Sequence, residues 1–270
     1  MLDKTKLPAN ITAGFVIYSN LFLQYFLLFQ IEISKFVVIV NILTTSFMKL
    51  KLLLRAGVKL VMGFALLGAM LFLPAGTLQF ANAWVFLIAL FVPMIVVGAV
   101  MLFVNPELLE KRLDAKEKQT EQKWVVASSG LLFMASFVLA GLNFRYSWYV
   151  MPEWSVWVSV VVFLLSYVLY AEVLRENTYL SRTIQVEENQ QVIITGLYGI
   201  VRHPMYSATV LLFLSMPLVL GSPISFFVML LYIPIIGVRI KNEEKFLTEN
   251  LAGYAEYKTK VKYRLIPFIW

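Results

Sequence analysis

The sequence predicts an all-α, polytopic integral membrane bundle, and three observations carry that prediction. Apolar residues make up 60% of the 270 residues and charged ones 14%, with a mean hydropathy of +0.78; a chain so composed cannot turn most of its surface to water. Runs of about 20 residues, enough to cross roughly 30 Å of hydrocarbon as helices, recur at about 58–77, 83–104, 124–143 and 154–172, each bounded by charge or by Pro and Gly. The net charge of +7 clusters beside those runs, where basic residues set topology and touch anionic headgroups, so it does not signal nucleic acid.

In chain order, residues 1–48 read as an N-terminal extension. The stretch "ITAGFVIYSNLFLQYFLLFQI" at 11–31 is long enough for one extra membrane helix, yet it carries Asn20 and Gln24, and the weaker run after it is broken by Glu32 and Lys35. It lacks the connected basic start, compact apolar centre and small-residue cleavage site of a secretory signal. Met48 opens "MKLKLLLRAGVKL", a basic start that leads straight into an apolar span and is the expected native beginning.

Residues 49–175 form the N-terminal membrane helices. Lys49, Lys51, Arg55 and Lys59 precede the first span, and Lys111, Arg112, Lys116, Lys118 and Lys123 fill the second connection, whereas the alternate connections hold little beyond Arg145. This asymmetry puts the basic loops and the C-terminus in the cytoplasm. The connector "NPELLEKRLDAKEKQTEQK" at 105–123 mixes both signs at helical spacing, with Leu108, Leu109 and Leu113 on one side, as a solvated amphipathic connector does. A further apolar stretch, 204–238, is interrupted by "GSP" at 221–223 and reads as two shorter helices joined by a tight turn. The core therefore holds about six helical elements, the last two a hairpin. At the end, "GYAEYKTKVKYRLIP" interleaves tyrosines with lysines, the pattern of an interfacial amphipathic helix.

Composition also excludes chemistry. Without cysteine there are no disulfides, thiolate nucleophiles or thiolate-bound metals, and a single histidine rules out a multi-histidine metal centre. The four predicted spans carry no Asp, Glu, Lys, Arg or His in their interiors, although ionisable groups there are what usually mark a transport pathway. Polar residues gather instead at 105–123, 172–203 and 239–264. A site at the cytoplasmic membrane boundary follows, where water-soluble and lipid-soluble reactants meet.

Two constellations stand at that boundary. Residues 176–203, with "IQV" and "VIIT" alternating among polar residues and a G-x-x-G pair at Gly196 and Gly199, read as a folded loop with irregular backbone. It opens into "VRHP", where Pro204 suits a first helical turn and sets His203 at the helix's positive end, a place for a carboxylate or another anion. The ordinary alternative has Arg202 snorkelling to lipid phosphates and His203 as a mere cap. Arg239 and Glu243 stand one turn apart, where a simple i, i+4 ion pair is the ordinary reading.

The order of these blocks resembles a known family. "GLYGIVRHPMY", an apolar hairpin, "EEKFL", "GYAEYK" and a closing "VKYRLIP", over about residues 190–267, are similar to the C-terminal signature of the isoprenylcysteine carboxyl methyltransferase family, with related patterns in membrane phospholipid N-methyltransferases. The resemblance implies a methyltransferase region at 176–270. It implies an S-adenosylmethionine pocket on Gln190, Gln191, Val192, Ile193, Tyr198, His203, Pro204, Met205, Tyr206 and Glu243, with Arg239 near the carboxylate of a lipophilic or lipidated acceptor. Gln190 departs from the eukaryotic pattern, which has histidine there; glutamine still donates a hydrogen bond but carries no charge. Three other readings compete: a phospholipid or small-molecule N- or O-methyltransferase, an NADPH-dependent membrane reductase of related architecture, and a non-enzymatic membrane scaffold.

Overall fold

The computed structural model describes residues 34–35, 44, 46–113, 120–180, 186 and 189–270. Among them the chain forms helices and no strand: α1 (Ser46–Ala75), α2 (Ala81–Val104), α3 (Pro106–Leu113), α4 (Thr120–Tyr146), α5 (Glu153–Glu176), a 3-10 turn (Gly196–Gly199), α6 (Pro204–Val219), α7 (Pro223–Met229), α8 (Tyr232–Asn250) and α9 (Tyr254–Lys260). The chain divides into two compact units, Met1–Lys51 and Leu52–Trp270. In the first, residues 34–35, 44 and 46–51 are described, all helical, so the reading of 1–47 as an extension with one extra helix lies almost wholly outside the described residues.

Five helices are long and apolar enough to cross a membrane: Ser46–Ala75, Ala81–Val104, Lys123–Tyr146, Glu153–Glu176 and the combined Pro223–Asn250. The protein is thus a multi-pass helical membrane protein. The first helix starts earlier than the apolar pattern because Lys49, Lys51 and Arg55 end a hydrocarbon span without ending a helix; lysine and arginine are good helix formers. The short α3 buries Leu108 and Leu109, as the connector reading requires.

The core is aromatic and aliphatic. Phe86 of α2 meets Phe137 of α4 and Phe163 of α5, with ring centroids 5.7 and 5.8 Å apart, beside fully buried Leu71 and Leu87. Phe133, Phe213 and Tyr232 tie α4, α6 and α8 together through edge-on contacts at 4.7 and 5.1 Å, an arrangement that suits the ring quadrupoles. Helix α4 approaches α1 closely at Gly141, where an added Cβ would stand 2.6 Å from the Leu71 carbonyl oxygen.

The "GSP" stretch behaves as its residues require. Gly221 takes a left-handed φ of +74°, the Ser222 hydroxyl caps α7 by accepting from the Ser225 amide, and Pro223 follows at the first turn, where it loses no helical hydrogen bond. This turn joins those after α1 and α4 at one end of the bundle: Asn143 Nδ2 donates to the carbonyls of Tyr149 (3.0 Å) and Gly221 (3.4 Å). The opposite end receives the C-terminus of α5, the start of α6, the end of α8 and α9. The described parts of the 172–203 and 239–264 polar blocks converge there; residues 114–119, 181–185 and 187–188 of the polar blocks lie outside the described residues.

Candidate functional site

His203 is the N-cap residue of α6 and Pro204 its first helical residue, as the helix-mouth reading expects. What the sequence does not reveal is the tail folding back onto this mouth. The amides of Arg202 and His203 donate to the carbonyls of Tyr263 and Arg264, both at 2.9 Å, and Ser207 Oγ donates to the Leu265 carbonyl at 2.6 Å. The closing "VKYRLIP" block is therefore a backbone partner of "VRHPMY".

Beneath this junction lies Glu244, whose side chain is 4% exposed. Its Oε1 accepts from Arg202 Nε at 2.7 Å and faces His203 Nε2 at 3.3 Å, while Oε2 accepts from Arg264 Nε at 3.0 Å. Arg202 spends Nη1 on the carbonyls of Val261 and Lys262. A buried charge persists only when paired and hydrogen-bonded, and here the α6 mouth supplies two partners and the tail a third. This corrects the snorkelling alternative: Arg202 is 7% exposed and serves as an internal tie because its counter-ion lies within the fold.

Arg239 and Glu243 do not form the simple pair that their spacing suggests. Tyr206 stands between them: Arg239 Nε donates to its hydroxyl oxygen at 2.9 Å, and the hydroxyl donates to Glu243 Oε2 at 2.5 Å. The Tyr206 ring lies 5.7 Å from that of His203. One hydroxyl thus fixes an arginine on one side and a carboxylate on the other.

The loop before α6 is held as firmly. Gly196 has φ +54°, and the Glu176 carboxylate fills the place a side chain would need, only 1.5 Å from an ideal Cβ. That carboxylate accepts from the Leu197 amide at 2.9 Å, which seats the 3-10 turn on the end of α5. Asn177 Nδ2 donates to the Tyr198 hydroxyl at 3.0 Å, and the Tyr257 hydroxyl donates to the Tyr198 carbonyl at 2.7 Å. Burial pushes the hydroxyls of Tyr198, Tyr254 and Tyr257 well above the usual phenol range; at Tyr254 the charges of Glu243 and Glu244 add to it. All three stay protonated near neutral pH, so each hydroxyl keeps a proton to donate.

These pieces enclose one cavity. Its wall includes nine of the ten residues assigned to the cofactor by resemblance: Gln190, Gln191, Val192, Ile193, Tyr198, His203, Met205, Tyr206 and Glu243. Pro204 is buried behind the wall, shaping the helix start. Arg239 is likewise off the wall, reaching the site through Tyr206. Asn177, Tyr179, Leu180, Arg202, Leu247, Leu251, Tyr254 and Tyr257 complete the lining, and sequence reasoning missed all of them as wall residues. Tyr254 and Tyr257 had a legible signal, an i, i+3 pair in "GYAEYK"; the others had none. The Tyr254 hydroxyl is a buried polar atom with no hydrogen-bond partner among the described residues, and it borders this cavity. Native folds rarely leave such a group unsatisfied, so the donor set fits a polar ligand. No group of three or more metal-binding side chains occurs among the described residues.

Residues 156–249 match the model of the Isoprenylcysteine carboxyl methyltransferase (ICMT) family. This segment, about a third of the chain, is similar to the ICMT family. It runs from α5 to the end of α8, taking in His203, Tyr206, Arg239, Glu243 and Glu244. The ICMT match reaches further upstream than the sequence blocks did, into α5, and stops before α9. A stretch of 91 residues, 33% of the chain, is 29% identical to the Delta(14)-sterol reductase TM7SF2 of Mus musculus, and covers 22% of that protein. The chain thus spans about a fifth of the length of this curated relative. The ICMT family is one of methyltransferases, and over 156–249 the resemblance drawn from the ordered blocks is borne out.

Proposed function

We propose that the protein is an integral membrane, S-adenosylmethionine-dependent methyltransferase that O-methylates the carboxylate of an isoprenoid or lipid-like acceptor, in the manner of a protein-S-isoprenylcysteine O-methyltransferase. One observation carries this reading: nine residues that the resemblance assigns to the cofactor border a single cavity, and all nine lie within the 156–249 segment that matches the ICMT family. When bound, S-adenosylmethionine supplies a methyl group already activated on a sulfonium. The chain's task is then to position the reactants and exclude water, and needs no catalytic acid or base.

The side chains suit that task. The Tyr254 hydroxyl and the Gln190 amide offer uncharged polar contacts, and the Glu243 carboxylate, oriented by Tyr206, accepts from ligand hydroxyl or amino groups. His203 and Tyr206 form a ring-lined wall, while Met205, Leu247 and Leu251 keep the remainder apolar. Arg239 would hold the acceptor carboxylate, with its guanidinium plane set by the Nε bond to Tyr206; a planar fork matches a carboxylate in bidentate fashion. The loop charges argue that this end of the bundle faces the cytoplasm.

Binding of radiolabelled S-adenosylmethionine to the detergent-purified chain tests the cofactor, and transfer of label to a farnesylated cysteine derivative tests the acceptor. Arg239→Ala should abolish transfer yet leave cofactor binding intact, whereas Glu243→Ala should weaken binding. Base-labile label identifies a carboxyl methyl ester; base-stable label would point to an amine acceptor. The sterol reductase relative supports a second reading, and NADPH binding without S-adenosylmethionine binding would favour it over methyl transfer.

A further inference from the structure

On the face of α8 turned away from the cavity, Pro234, Val238, Lys241, Lys245 and Thr248 form one exposed stripe, with the i+3 and i+4 spacing that aligns side chains on a helix face. The stripe changes character along its length. Val238 is 52% exposed on the apolar part of the helix, inside the Pro223–Asn250 segment apolar enough to cross a membrane, and from Lys241 onward the same face is basic. A second, independent feature meets it there. A concavity is lined by Lys241, Lys245 and Thr248 of α8, Lys258 of α9 and Arg264 of the tail, with Glu244 and Glu249 as its acids.

The charges do not cancel. Glu244 is already shared among Arg202, His203 and Arg264, so three lysines face one remaining carboxylate, Glu249. Lys258 Nζ lies 3.5 Å from Thr248 Oγ1, which brings α9 against α8. The Arg264 guanidinium stacks 5.2 Å over the Trp270 ring with its side chain 30% exposed. Three separate chain segments thus aim positive groups into one hollow, at the level where an apolar helix face gives way to a polar one.

We propose that this hollow binds the headgroup phosphate of an anionic phospholipid, whose acyl chain lies along the Pro234–Val238 part of the stripe. The ligand class follows from the juxtaposition. Clustered lysines and an arginine recognise phosphate, and the apolar track leading away from them calls for a lipid tail. Because Arg264 also holds Glu244, the bound headgroup would clamp the tail segment that closes over the α6 mouth. The proposal stands apart from the methyl-transfer reading and is tested by binding alone.

Native mass spectrometry of the full chain in detergent, titrated with phosphatidylglycerol or phosphatidylcholine, reads the site directly. Wild type should retain phosphatidylglycerol at least about tenfold better, since each basic group near an anionic surface contributes measurably, and the K241Q/K245Q/K258Q variant should bring the two lipids to parity. A K49Q/K51Q/R55Q variant removes as many charges at the start of α1 and should keep the preference. Equal retention of both lipids by wild type overturns the proposal. So does an equal loss in the two variants, which would make the attraction one of general surface charge. Displacement of the lipid by millimolar inorganic phosphate would assign the hollow to a soluble phosphate and also overturn it. Thermal unfolding of the triple variants, expected to match wild type, separates lost binding from lost fold.

Discussion

Replacing Glu244 by alanine would remove the carboxylate on which three donors converge: Arg202 Nε at 2.7 Å, Arg264 Nε at 3.0 Å and His203 Nε2 at 3.3 Å. Arg264 is partly exposed and can turn to water. Arg202 cannot, because its side chain is 6% exposed and its other bonds go to uncharged carbonyls. Breaking a buried pair from one side costs about 3–5 kcal/mol, since the remaining charge stays desolvated. In a domain of this size each kcal/mol moves the midpoint by roughly 2–4 °C, so a fall in Tm of about 6–20 °C is expected. Tryptophan fluorescence during heating in detergent measures it. Glu244→Gln should fall in between, because the amide oxygen still accepts one bond. Glu249→Gln, exposed on the same helix, should stay within about 1 °C of wild type. Combining Glu244→Met with Arg202→Met should recover much of the loss, because two apolar residues strand no charge. An alanine variant that melts within about 2 °C of wild type would refute the tie, because the expected loss is several times larger.

Tyr206→Phe removes the hydroxyl that links Arg239 to Glu243; two charge-assisted bonds are lost, so single-turnover methyl transfer should drop at least about tenfold. Tyr254→Phe deletes a buried hydroxyl that has no partner within the described fold, so cofactor affinity by calorimetry should weaken about fivefold while Tm holds or rises. Gly141→Val places a branched side chain against the Leu71 carbonyl, 2.6 Å from where its Cβ must sit; overpacking should cost about 1–3 kcal/mol, read as a lower Tm with cofactor affinity unchanged.

The bundle was legible in the sequence because hydrocarbon imposes a length and a composition on any helix that crosses it. The spans at 83–104 and 154–172 return as helices with ends a few residues away, and "GSP" turns as its glycine and proline require. Helix ends were less visible at 46–57, since lysine and arginine close an apolar run without closing a helix. The site was legible where it is local: His203 at the N-cap, Pro204 after it, and the tyrosine face of α9. Glu244 was overlooked beside Glu243. Adjacent positions on a helix point about 100° apart, and nothing in the order of residues says which of two neighbouring glutamates turns inward. The inward turn of Arg202 was hidden as well, because its partner lies 42 positions away.

The tail explains why the sequence blocks come as a set. A cavity at the end of a membrane bundle must admit a polar ligand, so apolar packing cannot close it on every side; some wall must be held by polar bonds in a place where water competes weakly. Here that wall is the junction of the α6 mouth with residues 261–265, joined by two backbone bonds, the Ser207 hydroxyl and the Glu244 cluster. "RHP" supplies the amides and one cation, "EE" supplies one carboxylate to this junction and one to the cavity, and "YRL" returns the carbonyls and a second cation. No block satisfies its own buried groups, so each needs the others in the fold. The imidazole then has a double place: its ring borders the cavity while its Nε2 faces the carboxylate that anchors the tail. A ligand that moves this ring therefore acts on the closure as well as on the wall, and His203→Gln, which keeps a donor of similar reach, should hold the fold while His203→Ala loosens the tail. Proteolysis at Lys258, Lys260 and Lys262 by trypsin measures that loosening: cleavage in the alanine variant should be faster than in the glutamine variant, and equal rates would mean that the ring does not hold the tail.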